Sequence, residues 1–325
     1  MTYKKIQDLK VNERFDSFFL IKSREVKSDK NGKLYMDIIL GDGVEEINGK
    51  IWNLNKDIEE RVENYKVMKI RGTTSEWKGT KQLKIERIRE VSSQDEVNIS
   101  DFVQTAPIEP EDMFNEIKMF IGKIKNQDIQ KIVVEIITKY KDKMSYYPAA
   151  KSNHHSIKGG LLYHLIRMLR LGEKISQTYE NINIDLVYAG ILLHDISKIE
   201  EMDSNEMGIV NDYTRDGKLL GHITMGVIEV EKAADKLGAD EEVKVLLQHM
   251  ILSHHYFPEF GSPKKPMILE AEILHYIDLI DARVYDFEDG LKNVEYGEFS
   301  DRVWTLDNIS IYKRNFDKKE ADKEE

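Results

Sequence analysis

A change in the spacing of apolar residues near residue 110 constrains the fold of this 325-residue chain more than any other feature. Before that point, apolar and β-branched residues form short runs separated by turn signals, which is typical of β-strands. After it, apolar residues recur every three to four positions, which indicates amphipathic helices. We therefore predict a multidomain β + α protein with a small β-barrel followed by an all-helical domain.

Five strands and one short helix are predicted for the N-terminal part. The interruption after the third strand begins with Asn55, a residue type that caps helices, and continues with helix formers to Val62. A helix between the third and fourth of five strands is the element order of an OB-fold, although other small barrels share it. The predicted strands cover residues 15–27, 34–40, 46–52, 65–75 and 80–90.

The chain divides into four parts by composition and pattern. We assign residues 1–95 to the OB-fold-like domain, 96–112 to a polar linker, 113–317 to the helical domain and 318–325 to a charged tail. Helices are predicted at 113–124, 129–140, 160–179, 184–197, 219–237, 241–253 and 267–284, and a strand-like stretch at 302–312.

Charge is distributed unevenly between these parts. Residues 1–95 carry 20 Lys and Arg against 17 Asp and Glu, whereas the rest of the chain carries 28 against 42. The N-terminal part is therefore the better candidate for a polyanion contact, such as a single nucleic-acid strand. Aromatic and basic residues there would suit base stacking, although many aromatics of a small barrel belong to its core. They are Phe18, Tyr35, Trp52, Trp77, Lys33, Lys50, Lys69 and Lys81.

The lack of cysteine limits the chemistry of any site. Without thiolates, a metal site must be built from His, Asp and Glu, and disulfides are excluded. No apolar run approaches the roughly 18 residues that span a bilayer, and the N-terminus lacks the apolar stretch of a signal peptide. We expect a cytoplasmic protein with no membrane contact.

Histidines and aspartates on apolar helices are the strongest functional signal. In AGILLHDISK, His194 and Asp195 follow an apolar run that indicates a buried helix, and there a bound divalent ion would compensate for a buried ionisable pair. One His-Asp dipeptide occurs often by chance, and each further group alone is more often a satisfied core residue or a local cap. Their joint occurrence in one domain nevertheless favours a metal site. These further groups are His164, His222, His254, His255, Asp278 and Asp281.

The order of these residues resembles the HD superfamily of metal-dependent phosphohydrolases, and the additional histidines resemble its two-metal branch. The OB-like domain ahead of these residues and the chain length make the resemblance more specific. Over nearly its whole length, the chain is similar to the YhaM-type 3′-to-5′ exoribonucleases. The segments that carry this narrower resemblance are AKSNHHSIKGGLLYH, GHI, LSHH and LEAEILHYIDLIDA.

The resemblance implies two divalent metal ions bridged by Asp195. The first ion would be held by four ligands: His164, His194, Asp195 and Asp278. The second would be held by Asp195 and three histidines: His222, His254 and His255. Manganese is the expected ion, with cobalt, magnesium, iron and nickel as alternatives. Gly160 stands where some two-metal relatives have a carboxylate, which leaves the coordination number open.

The resemblance and the sequence also suggest roles for residues around the metal ions. Asp195 and Lys198 are the predicted catalytic residues, with Lys198 pairing with the scissile phosphate unless it is a solvated helix-end lysine. Asp281 could orient a metal-bound water or a ligand histidine, or it could form a structural salt bridge. His249 and His275 are expected to be packing residues. The predicted substrate-binding residues are Lys151, His154, His155 and Asp281, the first three at the substrate entrance.

The predicted function is 3′-to-5′ exoribonuclease action that releases nucleoside 5′-monophosphates from single-stranded RNA, and also from single-stranded DNA. The direction of cleavage comes from the resemblance alone. One alternative is an HD phosphodiesterase or nucleotidase that acts on small or cyclic nucleotides. Another is a non-catalytic nucleic-acid-binding protein, against which the intact ligand set argues. A homo-oligomer is compatible with this function, but no interface motif indicates one.

Overall fold

A computed structural model describes residues 3–52, 54–77, 79–151 and 155–317 of the chain. It divides into two compact units, residues 1–105 and 106–325. The boundary lies later than the predicted domain end at residue 95, because Phe102 is fully buried and stacks on Tyr3 at 5.2 Å between ring centroids. Much of the predicted linker 96–112 thus belongs to the first unit. The predicted tail 318–325 lies outside the described residues.

The first unit is a closed five-stranded barrel in the order β1-β2-β3-β5-β4. Strands β3 and β5 pair in parallel, and the other neighbours pair antiparallel. Helix α1 (Lys56–Arg61) lies between β3 and β4, and the Asn55 side chain caps it by accepting the Ile58 N–H at 2.8 Å. This order is that of an OB-fold and confirms the predicted fold class. The strands are β1 (Arg14–Ser28), β2 (Leu34–Gly41), β3 (Glu46–Ile51), β4 (Val67–Trp77) and β5 (Thr80–Glu90).

Side-chain alternation along the strands separates the barrel core from its surface. Met36, Ile38 and Leu40 point inward from β2 and are almost completely buried. Phe18 is also buried, so its predicted exposure on a binding surface is wrong. Trp52 is 40% exposed and remains available at the barrel surface.

The second unit consists of eight helices within the described residues, together with two short β-hairpins. The hairpins correct the expectation of an all-helical domain, and the second of them lies within and just before the predicted strand-like stretch 302–312. They are β6 (Met202–Ser204) with β7 (Val210–Tyr213) and β8 (Phe299–Val303) with β9 (Ile309–Tyr312). The helices are α2 (Pro110–Lys123), α3 (Gln127–Met144), α4 (Gly160–Ser176), α5 (Ile184–Leu193), α6 (Lys198–Glu201), α7 (Arg215–Leu237), α8 (Glu241–Ser253) and α9 (Leu269–Gly290).

Helix α5 is the centre of the second unit. It is apolar on nearly all sides, and residues 185–193 are all buried. Helices α2, α3, α4, α8 and α9 pack against it. Because α5 ends at Leu193, the next two residues, His194 and Asp195, lie at the middle of the bundle. Among the described helices, α5 included, none is both long and apolar enough to cross a membrane.

Candidate metal centre

Asp195 lies at the centre of a buried cluster of imidazoles. Its Oδ2 atom is 3.4 Å from Nε2 of His194 and 3.9 Å from Nε2 of His164. Its Oδ1 atom is 3.5 Å from Nε2 of His222 and 3.8 Å from Nε2 of His254. The two oxygens of one carboxylate therefore face two different groups of histidines, which is the arrangement of a bridging ligand.

Two further side chains complete the cluster. Asp278 Oδ1 lies 3.3 Å from His164 Nε2, on the Oδ2 side of Asp195. His255 belongs to the other group, in which the ligand atoms of all four members lie within 4.8 Å of one another. The fold thus brings together all seven residues that the sequence predicts as metal ligands.

Hydrogen bonds on the outer side of three rings turn their inner nitrogens toward the cluster. His194 Nδ1 donates to the Ile191 carbonyl at 2.8 Å, and His254 Nδ1 donates to the Ile251 carbonyl at 2.7 Å. His255 Nδ1 donates to the carbonyl of Phe260 at 2.6 Å. A ring that donates from Nδ1 keeps the lone pair of Nε2 for a metal ion.

His222 is held by a carboxylate, Glu201, that the sequence analysis missed. Gly221 interrupts α7 with φ 71° and ψ 157°, a conformation that glycine adopts readily. The break frees the backbone N–H of His222, which donates to Glu201 Oε1 at 3.0 Å, and His222 Nδ1 lies 3.1 Å from both carboxylate oxygens. Glu201 therefore fixes both the backbone and the ring of a candidate ligand.

Replacing Glu201 with Gln should weaken metal binding by about 10- to 100-fold, the effect expected when the hydrogen-bond partner of a ligand is altered. The amide keeps the shape of the side chain but removes the charge that orients the ring. A metal titration monitored by calorimetry measures this change in affinity. Glu200→Gln, on the same short helix, is the matched control, and equal effects of the two substitutions would contradict this role for Glu201.

Asp281 contacts three side chains, one of which is the candidate ligand His164. Its Oδ2 atom lies 2.8 Å from His164 Nδ1 and 2.7 Å from His155 Nε2, and its Oδ1 atom accepts from Arg167 Nε at 2.6 Å. His155 is fully buried and Asp281 is nearly so. The prediction that His155 lies at the substrate entrance is therefore wrong. The prediction that Asp281 contacts the substrate is wrong for the same reason. Orientation of a ligand, the alternative considered for Asp281, fits these contacts. His154 lies outside the described residues.

Burial and neighbouring charges set the protonation states of the candidate metal ligands. Burial alone would raise the pKa of Asp195, but the Lys198 ammonium and His194 hold that pKa well below its usual range. Burial lowers the pKa of His254 and His255, which favours neutral rings. Burial also opposes protonation of His164, yet Asp278 and Asp281 raise its pKa to about 10. A bound metal ion would displace that proton, because a ligand nitrogen must be unprotonated.

Buried atoms without hydrogen bonds show that the cluster fits a metal ion. Buried polar atoms in proteins nearly always have a partner. Within the described part of the chain, four such atoms of the cluster make no hydrogen bond: Nε2 of His194, His222 and His254, and Oδ1 of Asp195. Imidazole nitrogens and carboxylate oxygens together suit divalent first-row ions. The cluster is a divalent-metal centre by its donor set.

A cleft of about 500 Å³ opens onto this centre. Lys198 lines it, and its Nζ lies 2.8 Å from Asp195 Oδ2. Lys151, which the sequence analysis assigns to the substrate entrance, also lines the cleft. His275, expected to be a packing residue, lines it as well, while its Nδ1 bonds the carbonyl of His254 at 2.8 Å. His249 instead accepts the backbone N–H of Met267 at 2.9 Å.

A helical bundle whose central helix ends in a His-Asp pair, ringed by further His and Asp ligands, defines an HD-type metal-dependent hydrolase. The family model described as HD domain matches residues 161–283, and a second model, whose description names a helicase, matches residues 101–183. The 3′-5′ exoribonuclease YhaM of Halalkalibacterium halodurans is 42% identical over 306 residues, which cover 94% of this chain and 95% of that protein.

The protein of the same name from Listeria welshimeri is 41% identical over 314 residues, 97% of this chain and 99% of that protein. The chain belongs to the YhaM family. Among solved structures, the second OB-fold domain of replication protein A from Methanococcus maripaludis is 16% identical, with a TM-score of 0.23, and covers 28% of this chain and 97% of that domain. The OB-fold assignment rests on the strand order described above.

Proposed function

We propose that the protein is a 3′-to-5′ exoribonuclease that hydrolyses single-stranded RNA, and also single-stranded DNA, to nucleoside 5′-monophosphates. The observation that carries this proposal is the Asp195 carboxylate, whose two oxygens face separate histidine groups beside an open cleft. The relatives named 3′-5′ exoribonuclease support the substrate and the direction of cleavage, since the similarity extends over both units.

We propose that the centre holds two divalent ions, with manganese as the expected metal. When bound, such ions supply Lewis-acid activation of the phosphodiester and of the attacking water. The first would bind His164, His194, Asp195 and Asp278. The second would bind Asp195, His222, His254 and His255. Glu201 and Asp281 would orient the ligands His222 and His164 from behind.

Two lysines of the cleft would bind the phosphate groups. Lys198 is only 12% exposed and already lies at the bridging carboxylate, so its ammonium can offset charge on the scissile phosphate beside it. Lys151 is exposed, 3.5 Å from Asp212 and 5.5 Å from the ring centroid of Tyr213. Its place at the rim suits a phosphate further along the strand.

The barrel would bind the strand through an aromatic pair on its surface. The rings of Tyr35 and Trp52 stack with centroids 4.8 Å apart, and Lys50 Nζ lies 5.4 Å and 5.9 Å from the two centroids. Stacked rings beside an ammonium group offer a base a flat face and a backbone phosphate a charge. The same side chains have no evident use in hydrolysis of a small nucleotide.

The double substitution Tyr35→Ala with Trp52→Ala should therefore separate the proposed function from its main alternative. We expect kcat/KM on a single-stranded RNA to fall about tenfold or more, because base stacking contributes about 1–3 kcal/mol per base. Hydrolysis of bis(p-nitrophenyl) phosphate should stay unchanged. Trp52→Phe keeps a ring and should retain most activity on RNA. Unaltered RNA cleavage by the double variant, or efficient hydrolysis of cyclic nucleotides in place of RNA, would favour a small-nucleotide phosphodiesterase.

A further inference from the structure

Two exposed phenylalanines line the hydrolytic cleft. Phe257 is 45% exposed and Phe260 is 67% exposed, and both border the same cleft as His255 and Asp278. Solvent-exposed aromatic side chains in a concave site are costly unless they meet a ligand, and such clusters commonly mark binding sites. Neither ring has a role in holding the metal ligands.

The loop that carries both rings is fastened to a candidate metal ligand. The Phe257 N–H donates to the carbonyl of His255 at 2.8 Å, and His255 Nδ1 donates to the carbonyl of Phe260 at 2.6 Å. The His255 N–H in turn donates to Oγ of Ser262, which is fully buried. These bonds fix the backbone of both phenylalanines at a set position relative to the metal centre.

The other residues that line the cleft offer little that could distinguish one base from another. Among the described residues, the cleft is lined by no Asn, Gln, Ser or Thr, four of the side-chain types that bond the edges of bases. Glu201 is engaged by His222, and His275 Nδ1 bonds the carbonyl of His254. For the face of a base, the cleft offers flat apolar surface, which includes Phe257, Phe260 and the half-exposed ring of Tyr213.

We propose that Phe257 and Phe260 form a stacking wall that binds the base of the terminal nucleotide by its face. Every base has a π-face, so this wall accepts all four bases and lets hydrolysis continue along any sequence. The inference rests on the proposed function, because it assigns a substrate contact within that same cleft.

Kinetics on two matched substrates test this wall. One is a single-stranded RNA, and the other is the same RNA with an abasic nucleotide at its 3′ end. We expect Phe260→Ala and Phe257→Ala each to lower kcat/KM on the complete RNA by about 5- to 150-fold, the fold-change that corresponds to the loss of one stacked base. On the abasic substrate the same substitutions should have little effect, because the stacking partner is already missing.

Controls separate stacking from a merely structural role. Phe260→Trp keeps an aromatic face and should restore activity, whereas Phe260→Leu should not. Phe299→Ala removes an equally exposed phenylalanine (67%) that does not line the cleft, and it should leave kcat/KM on both substrates unchanged. Metal content measured by mass spectrometry should stay at the wild-type value in Phe260→Ala, because His255 bonds the backbone of Phe260.

Three kinetic results would overturn the stacking wall, and a fourth would overturn the proposed function with it. Equal losses on the complete and the abasic RNA, or no loss on either, would overturn the stacking wall while leaving the exonuclease proposal intact. A preference of the wild-type enzyme for one terminal base by more than about 100-fold would also overturn it, since hydrogen-bonded recognition of base edges contributes about 1–3 kcal/mol. Failure of the wild-type enzyme to shorten any RNA would overturn the proposed function and the wall together.

Discussion

Replacing Asp195 with Asn should lower kcat/KM on RNA by about 10³-fold or more, because metal-ion catalysis supplies several kcal/mol of transition-state stabilisation. Asn offers one neutral oxygen and a nitrogen donor, so it cannot bridge the two histidine groups that face Oδ1 and Oδ2. We expect the bound metal to fall from two ions to at most one per chain. Activity assays and inductively coupled plasma mass spectrometry measure the two effects.

The matched control for this substitution is Asp185→Asn. Asp185 is a buried carboxylate in the first turn of α5, the helix that precedes Asp195, and its Oδ2 accepts the backbone N–H groups of Lys125 and Asn126 at 3.0 and 2.8 Å. Its loss should reduce stability while leaving the metal content unchanged. An Asp195→Asn protein that keeps both its metal and its activity would refute the bridging role.

Removing a single ligand, on either side of Asp195, should remove one of the two expected metal ions. His164→Ala is expected to empty the position on the Oδ2 side, and His222→Ala the position on the Oδ1 side. Each variant should keep about one ion per chain and lose about 10³-fold in kcat, because in-line displacement at a two-metal site needs both ions. Metal analysis and manganese electron paramagnetic resonance distinguish a single ion from a coupled pair.

His249→Ala is the control for the two ligand variants. Its ring accepts the Met267 N–H and, within the part of the chain that the structure describes, belongs to none of the groups whose ligand atoms converge, so metal content should not change. If either His164→Ala or His222→Ala lost all metal cooperatively, the centre would be a single mononuclear site with shared ligands. If neither lost any, the ligand assignment would be incorrect.

Most of the candidate ligands could be predicted from sequence because they are ionisable groups within an apolar helix or directly after one. The stretch around His194 illustrates this, since core periodicity breaks there only for the His-Asp pair. Glu201 could not be found in this way, because a carboxylate on a four-residue helix is unremarkable in a chain with 33% charged residues. Its contact with His222 depends on the break at Gly221, which is a tertiary feature.

His155 shows the opposite error. A polar, loop-like stretch before α4 predicts exposure, yet the ring is completely buried against Asp281. The chain can fold this way because Gly160 leaves room, since a Cβ there would lie 2.0 Å from the His155 carbonyl oxygen. The barrel, in contrast, was predicted well because strand alternation and the Asn55 cap are local signals. The extent of the linker was not, since it depends on the distant contact of Phe102 with Tyr3.

Digestion of a 5′-labelled single-stranded RNA in the presence of manganese shows whether the protein removes nucleotides from the 3′ end. The proposed metal centre at Asp195 and its open cleft predict a ladder of products that shorten steadily from the 3′ end, together with released nucleoside 5′-monophosphates. RNA that remains intact under these conditions, or that is cut first at internal positions, would show that the protein is not a 3′-to-5′ exoribonuclease.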